Sequence, residues 1–303
     1  MLKCYTISEG RIIETETDGP ILLYINPEES EKRVLVDEFG VDEHTLTSAL
    51  DPDELSRIEF EPTHTAIIFK RPKNYSARDH FVFKVGSTGL FHFKDKLIIV
   101  LAEDLPLFEA KQFQKITTLN EVALRLIYRS IFHFLEHLKI FNMISDELER
   151  KINKSMENKY LLNLFTLEKS LVYYLNSINS NAVLIEKLKH NSAKLMLNTE
   201  EMEYLDDILV ENNQCYRQAE IYSNILASLM DARASIVGNN LNVLMKTLNL
   251  ITIMIMTPTL VVSVFSMNVP IPLQERTYAF WIILTLALAS VGVVMYIWRK
   301  NRW

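Results

Sequence analysis

The stretch TLNLITIMIMTPTLVVSVF at residues 247–265 contains 19 residues and no charged side chain. A helix rises about 1.5 Å per residue, so a helix of this length crosses a hydrocarbon layer roughly 30 Å thick. A second uncharged segment, YAFWIILTLALASVGVVMYIW, follows at 278–298. Because the link between them is short, the sequence predicts a transmembrane hairpin in contact with membrane lipid, with a first helix at about 244–265 and an outer loop at 266–277.

The charges that flank this hairpin predict its orientation. The tail after the second segment, RKNRW, has three basic residues, whereas the outer loop has only Glu275 and Arg276. Basic residues near the ends of membrane helices favour the cytoplasmic side. The N-terminal stretch lacks the apolar core that a signal peptide needs. We therefore expect a multi-pass protein of the cell (inner) membrane with both termini in the cytoplasm.

Residues 1–106 contain most of the glycines and prolines of the chain. Short runs of β-branched and aromatic residues between turn residues are typical of strands. GSTGL at 86–90 has the composition of a hairpin turn. The segment is therefore predicted to be a small cytoplasmic α/β domain. Its predicted strands are ILLYI (21–25), TAIIFK (65–70), HFVFKV (80–85), LFHF (90–93) and KLIIVLA (96–102).

Residues 107–240 contain no proline and a single glycine, Gly238. The two strongest breakers of regular structure are nearly missing, so this segment is predicted to be a cytoplasmic stalk of long helices. Polar breaks are predicted near Asn158 and Thr199, with Thr199 as the N-cap of the helix that follows. Apolar positions at helical spacing are expected to face a core. They are Leu164, Leu167, Leu171, Tyr174 and Ile178.

Several classes of function are disfavoured by composition and motifs. A formal charge of -6 argues against binding to nucleic acid, which requires clustered basic residues. Cys4 and Cys215 are far apart and suggest neither a disulfide framework nor a CxxC metal site. HFLEH at 133–137 matches a zinc-peptidase pattern, but it lies among apolar residues of a predicted long helix. We expect no enzymatic activity and no bound cofactor.

One face of the first membrane helix carries polar and methionine residues from end to end. Such a face must be hidden from lipid, either against other helices or against water in a pore. The pattern alone leaves both alternatives open, although its length favours the pore. A pore would need a ring of identical chains, whose neutral oxygens suit a hydrated cation such as Mg²⁺. This polar stripe consists of Asn242, Met245, Asn249, Thr252, Met256, Thr259 and Ser263.

Three motifs follow one another at and after the start of the first membrane helix: Asn242-x-x-Met245-Lys246, Thr257-Pro258-Thr259 and Ser266-Met267-Asn268. These motifs resemble the CorA family of divalent-cation channels, whose signature is Gly-Met-Asn with an asparagine ring that receives hydrated Mg²⁺. The resemblance follows the chain in order and implies an α+β cytoplasmic domain, a long helical stalk and two C-terminal transmembrane helices, which together form the CorA-like funnel. It also implies a homopentamer whose first membrane helix lines the pore.

The resemblance implies roles for individual residues. Met267 and Asn268 would form the outer entry ring. Ser266 stands where the family has a glycine, which tolerates positive φ. Asp231 matches an acid near the cytoplasmic end of the pore. The path would be lined by Asn242, Asn249, Thr252, Thr259 and Ser263, and the gate formed by Met245, Leu248 and Met256.

The resemblance also implies regulation by cytoplasmic Mg²⁺, held between subunits by one acid of the N-terminal domain and one of the stalk. Asp206 and Asp207 match the stalk side, whereas Ser48 stands where the other acid is expected. The stretch EEMEYLDD at 200–207 is as typical of a solvated acidic helix start as of a metal sensor. The outer loop offers only Glu275, so we expect weak electrostatic concentration of cations at the mouth.

The predicted function is transport of divalent cations, with Mg²⁺ as the default ion and Co²⁺, Ni²⁺ or Zn²⁺ as alternatives. Two other interpretations remain. One is a proton-coupled Zn²⁺ transporter of the same architecture. The other is a non-conducting membrane sensor or scaffold whose mouth lost conduction together with its glycine.

Overall fold

A computed structural model describes residues 1–16, 19–76, 79–109, 113–154, 158–269 and 276–301. The chain divides into two compact units, Met1–Met230 and Asp231–Trp303. The first unit contains a sheet and helices that share a hydrophobic core. Segments 1–106 and 107–230, which differ in composition, both contribute to that core.

The sheet of the first unit has seven strands: β1 (Leu2–Ser8), β2 (Arg11–Thr15), β3 (Ile21–Ile25), β4 (Arg57–Phe60), β5 (Thr65–Pro72), β6 (Val85–His92) and β7 (Leu97–Leu101). Their order is β2-β1-β3-β7-β6-β5-β4. Neighbours are antiparallel except β3 and β7, which are parallel. These two strands are buried along their whole length, which explains why both are unbroken apolar runs.

Helices cover both faces of the sheet. On one face, α1 (Glu29–Asp37) and α2 (Glu43–Leu50) enclose a small core that includes Leu22 and Tyr24. On the other face, α3 (Leu119–Lys154) and α4 (Asn158–His190) enclose a larger core with Ile21, Leu23 and Ile25. Successive residues of one strand therefore serve opposite cores, as the alternation of side chains along a strand requires.

The long helices confirm the predicted stalk. The five positions predicted to face a core in α4 are all buried, and α4 begins at Asn158, the position of a predicted break. The next helix, α5, runs from Thr199 to Phe265 over 67 residues. Its N-cap is Asn198 rather than Thr199, because the Asn198 side-chain oxygen accepts from the Glu201 N–H at 2.8 Å and the Glu201 carboxylate accepts from the Asn198 N–H at 2.9 Å. This reciprocal pair is a capping box.

Strand β6 corrects two sequence predictions. The stretch GSTGL at 86–90 lies inside the strand and forms no turn, and residues 80–84 lie outside it. The reason is a close approach of α2, since a Cβ on Gly89 would lie 2.5 Å from the Cβ of Ala49. Glycine is needed there for packing and not for a turn. Three predicted strands are confirmed to within two residues, namely ILLYI as β3, TAIIFK as β5 and KLIIVLA as β7. The predicted strand LFHF (90–93) is instead the end of β6, which begins at Val85.

The second unit contains the end of α5 and helix α6 (Ala279–Asn301). Each helix has an 18-residue window of high mean hydropathy, 2.0 in α5 and 2.3 in α6, of which 0% and 6% is buried. A core helix of a soluble domain would be buried, so length, composition and exposure agree with the predicted transmembrane hairpin. Residues 270–275 of the predicted outer loop, including Glu275, lie outside the described residues.

Candidate functional site

The polar stripe lies on an exposed face of α5. All seven of its members, from Asn242 to Ser263, are exposed, together with Leu248 at its border. The three predicted gate residues are among the most exposed apolar side chains of the helix, at 62% for Met245, 64% for Leu248 and 65% for Met256. Such exposure within one chain leaves the whole stripe available to water or to further copies of the chain.

Helix α6 packs on a different face of α5. The half-buried positions of α5 mark this contact, and at roughly 100° per residue they centre on the side opposite the stripe. Asn249 alone also borders a groove shared with Val294 and Trp298 of α6. Packing within the chain therefore does not hide the stripe. The half-buried positions are Leu250, Met254, Thr257, Pro258, Val261 and Phe265.

The matching face of α6 was not identified from the sequence. It is partly built of small residues, which allow two membrane helices to approach closely. Their recurrence at helical spacing is the signal that would have revealed it. The face consists of Ala279, Ile282, Ile283, Ala287, Ser290, Val291 and Val294.

The threonine hydroxyls of the stripe donate to their own helix. Thr252 Oγ1 donates to the Leu248 carbonyl at 2.9 Å, and Thr259 Oγ1 donates to the Ile255 carbonyl at 2.7 Å. A hydroxyl that has given its proton to the backbone presents only acceptor lone pairs elsewhere. These positions therefore offer neutral oxygens that can accept hydrogen bonds from the water shell of a cation.

The Ser-Met-Asn segment follows directly after the end of α5. The Ser266 N–H and hydroxyl both donate to the Ser263 carbonyl, at 3.2 and 3.0 Å. Met267 and Asn268 are exposed. Within the described part of the chain, Ser266 is not among the residues with positive φ. The serine thus completes the helix terminus without the left-handed backbone that would favour glycine.

The acids predicted to bind a regulatory cation do not form a site within one chain. Asp206 pairs with Lys189 at 2.6 Å, and Asp207 and Asp231 are exposed. Ser48 is buried in α2. In the ranges that the structure describes, no three His, Cys, Asp or Glu side chains group as a metal site. The sensor stays a prediction about subunit interfaces.

In the first unit, His137 is buried and His133, one turn earlier on α3, is half-buried. His137 shares a hydrogen bond of 2.7 Å with the Tyr174 hydroxyl, and its ring stacks on that tyrosine at an interplanar angle of 15°. Burial lowers the pKa of each histidine to about 4. The pair is explained by packing, so the zinc-peptidase pattern identifies no catalytic site here.

A helical hairpin with an exposed polar stripe, attached to a helical and α/β unit, defines a class of membrane transport protein rather than an enzyme. A family model described as "CorA-like Mg2+ transporter protein" matches residues 21–300. The chain belongs to this family, and the predicted resemblance is confirmed.

Individual relatives agree with the family assignment. The cobalt/magnesium transport protein CorA of Methanocaldococcus jannaschii is 24% identical over 313 positions, which cover 98% of this chain and 96% of the relative. The complete structure of the CorA magnesium transporter from that organism has a TM-score of 0.84 at 19% identity, covering 99% of this chain and 96% of the other. This match confirms the predicted fold class.

A second solved structure resembles most of the chain. The cytoplasmic domain of ZntB from Vibrio parahaemolyticus gives a TM-score of 0.61 at 13% identity, and the match covers 78% of this chain and 98% of that domain. At this level of identity the likeness concerns the fold alone.

Proposed function

We propose that the chain is the subunit of a homopentameric channel that carries divalent cations, by default Mg²⁺, across the cell (inner) membrane. Both chain termini lie in the cytoplasm. The observation that carries the proposal is the polar stripe on α5, which is exposed along its length and faces away from α6. Family membership supports the same function.

Two membrane helices cannot enclose a pore, so the stripe requires further copies. In a closed ring with rotational symmetry, each chain turns the same face to the axis. The α6-facing side of α5 is already occupied, which leaves the stripe as the face turned inward. Each stripe residue then becomes a ring of five side chains around the path, and the stripe is hidden from lipid.

The stripe suits a cation that keeps its water. Mg²⁺ dehydrates reluctantly and is usually bound through several of its waters. Threonine hydroxyls such as Thr252 and asparagine amides such as Asn249 accept hydrogen bonds from that water shell. Met245, Leu248 and Met256 provide apolar rings that gate by dewetting. Met267 and Asn268 form the outer entry ring.

The decisive experiment is cation flux into liposomes. The purified protein is reconstituted with a magnesium-sensitive dye inside, and Mg²⁺ is added outside under an inside-negative potential. That potential favours entry of a divalent cation by about 4.6 kcal/mol per 100 mV. We expect flux in the wild type and its loss in Asn268→Ala. The matched control is Asn239→Ala, which changes the same residue type on α5 outside the stripe.

Assembly must be verified for each variant, by native mass spectrometry of the detergent-solubilised protein. Unchanged flux in an Asn268→Ala variant that still assembles would refute the proposed entry ring. Absence of flux in the wild type would instead favour the non-conducting sensor or scaffold. The likeness to the ZntB domain motivates one more measurement, Zn²⁺ flux with and without a pH gradient. Dependence on the gradient would favour the proton-coupled Zn²⁺ transporter.

A further inference from the structure

A cavity of about 330 Å³ lies in the first unit, between strands β5 and β6 and helix α3. It is separate from the ion pathway, which belongs to the second unit. Its lining combines apolar side chains with Arg71, Thr88, Arg129 and His133. Two of these polar side chains are more than nine-tenths buried and have unpartnered polar atoms, which is uncommon in folded proteins.

Arg71 is a buried cation with a distant counter-charge. The residue is 6% exposed, and among the described residues its Nε has no hydrogen-bond partner. Nη1 makes a long contact of 3.4 Å with the Pro72 carbonyl, and Nη2 lies 3.8 Å from the Glu103 carboxylate. That carboxylate is held more closely by Lys73, at 2.5 Å. A buried guanidinium whose counter-charge is distant and shared with a lysine is costly, and a further bound anion offsets that cost.

Arg129 brings a second guanidinium group to the same cavity. It projects from α3 and donates a hydrogen bond to the Leu107 carbonyl. Burial, reinforced by the charges of Arg71 and Arg129, lowers the pKa of His133 to about 4. The carboxylates of Glu109 and Glu136 act on Arg129 and are both exposed, and Glu136 also lines the cavity. The more buried charged groups of the lining are thus the two guanidinium groups, which favour an anion.

Thr88 supplies a hydroxyl donor to the cavity. It is 1% exposed, and its hydroxyl has no hydrogen-bond partner within the part of the chain that the structure describes. Thr88 lies on β6, opposite Phe69 of β5. Phe69 precedes Arg71 by two residues, so both point to the same face of β5. An unpartnered buried hydroxyl destabilises a folded protein, so its presence beside two arginines indicates a ligand that accepts hydrogen bonds.

We propose that this cavity binds the phosphoryl group of a small metabolite. Arg71, Arg129 and Thr88 donate to the phosphoryl oxygens, since guanidinium groups match the geometry of phosphate and a hydroxyl adds a further donor. Phe69, Leu107 and Leu126 form an apolar wall that accommodates an organic substituent. The site is a binding site of the first unit, and its existence does not depend on the proposed transport function.

The test uses the full-length protein in detergent, in metal-free buffer at constant ionic strength. Binding is measured by isothermal titration calorimetry with inorganic phosphate, phenyl phosphate and phenol. We expect saturable binding of both anions and none of phenol. Tighter binding of phenyl phosphate identifies an organic phosphate as the ligand class, whereas equal affinity identifies the free anion. Failure of both anions to bind overturns the proposal.

Two variants and one control separate a site from general electrostatics. Arg129→Gln is expected to weaken anion binding by at least about tenfold, as the loss of a charge-assisted hydrogen bond implies. The control Arg125→Gln removes the same charge one turn earlier on α3, where Arg125 pairs with Glu121 outside the cavity. It should bind as the wild type does. If Arg129→Gln and the control Arg125→Gln lost the same amount of anion affinity, a defined site would be refuted.

Thr88→Val gives a readout that a purely structural hydroxyl would not give. Valine has nearly the same shape and removes the unpartnered group. The unliganded variant should melt at the same temperature as the wild type or higher, while its affinity for phosphate falls. A lower melting temperature with unchanged affinity would overturn the role of Thr88 in binding.

Discussion

Two parts of helix α5 share one periodicity and differ in everything else. Between 201 and 226, seven buried positions recur mainly at steps of three and four and are mostly apolar. Between 242 and 263, the polar stripe recurs at the same steps and is exposed. The first set is covered by its own chain, and the second set is not. Helical spacing therefore identifies a special face, and only composition and surroundings decide what covers that face.

The largest expected effect is a difference in the free energy of unfolding between two leucine-to-alanine substitutions, one in each part of α5. Leu205 is fully buried and Leu248 is 64% exposed. We expect Leu205→Ala to lower the free energy of unfolding by about 2–5 kcal/mol, because it leaves a cavity in the core. Leu248→Ala should change it by less than about 0.5 kcal/mol. Denaturant unfolding followed by circular dichroism compares them. Similar losses would mean that the stripe is packed as tightly as the core.

A second comparison is between two asparagines of α5, the buried Asn212 and the exposed Asn249. Asn212 is fully buried, and its Nδ2 donates to the Ile178 carbonyl of α4 at 3.1 Å. Asn212→Ala should lower the free energy of unfolding by about 1–3 kcal/mol and leave Mg²⁺ flux unchanged. Asn249→Ala should leave stability nearly unchanged and reduce flux. Unfolding curves and liposome flux are measured on both variants. Loss of flux in Asn212→Ala together with normal flux in Asn249→Ala would contradict the proposed path.

The gate provides a third comparison within the stripe region. Met256→Ala removes an apolar ring from the proposed constriction and should raise Mg²⁺ flux several-fold, because a wider apolar ring dewets less readily. The control is Met254→Ala, which lies on the half-buried side of α5 toward α6. It should not raise flux. An increase in both variants would indicate loosened helix packing rather than an opened gate.

Sequence predicted well where the signal is local or periodic. Helical spacing predicts the buried positions of α4, and polar residues predict its start at Asn158. The stripe could be identified without a structure for the same reason. Its environment could not, because exposure depends on where α6 packs.

Sequence failed where tertiary contacts override local preference. Gly89 resembles a turn residue, yet it lies in β6 because α2 approaches too closely for a side chain. The phosphoryl site was missed for a similar reason. Arg71 and Arg129 are 58 positions apart, and only the packing of α3 on the sheet brings them to one cavity. No local pattern marks a buried arginine that shares its counter-charge with a lysine.

The smallest effect is expected at the signature serine. Ser266 is bound to the Ser263 carbonyl through its N–H and hydroxyl, without positive φ. Ser266→Gly removes one exposed side-chain hydrogen bond and adds backbone freedom at a position just beyond the end of α5. Flux of Mg²⁺ should therefore change by less than about twofold, since the turn does not need what glycine offers. If glycine instead restored flux to a silent wild type, the serine would be the residue that closes the mouth. The exposed stripe would then belong to a pore that no longer conducts, and exposure alone would not distinguish a working path from a retired one.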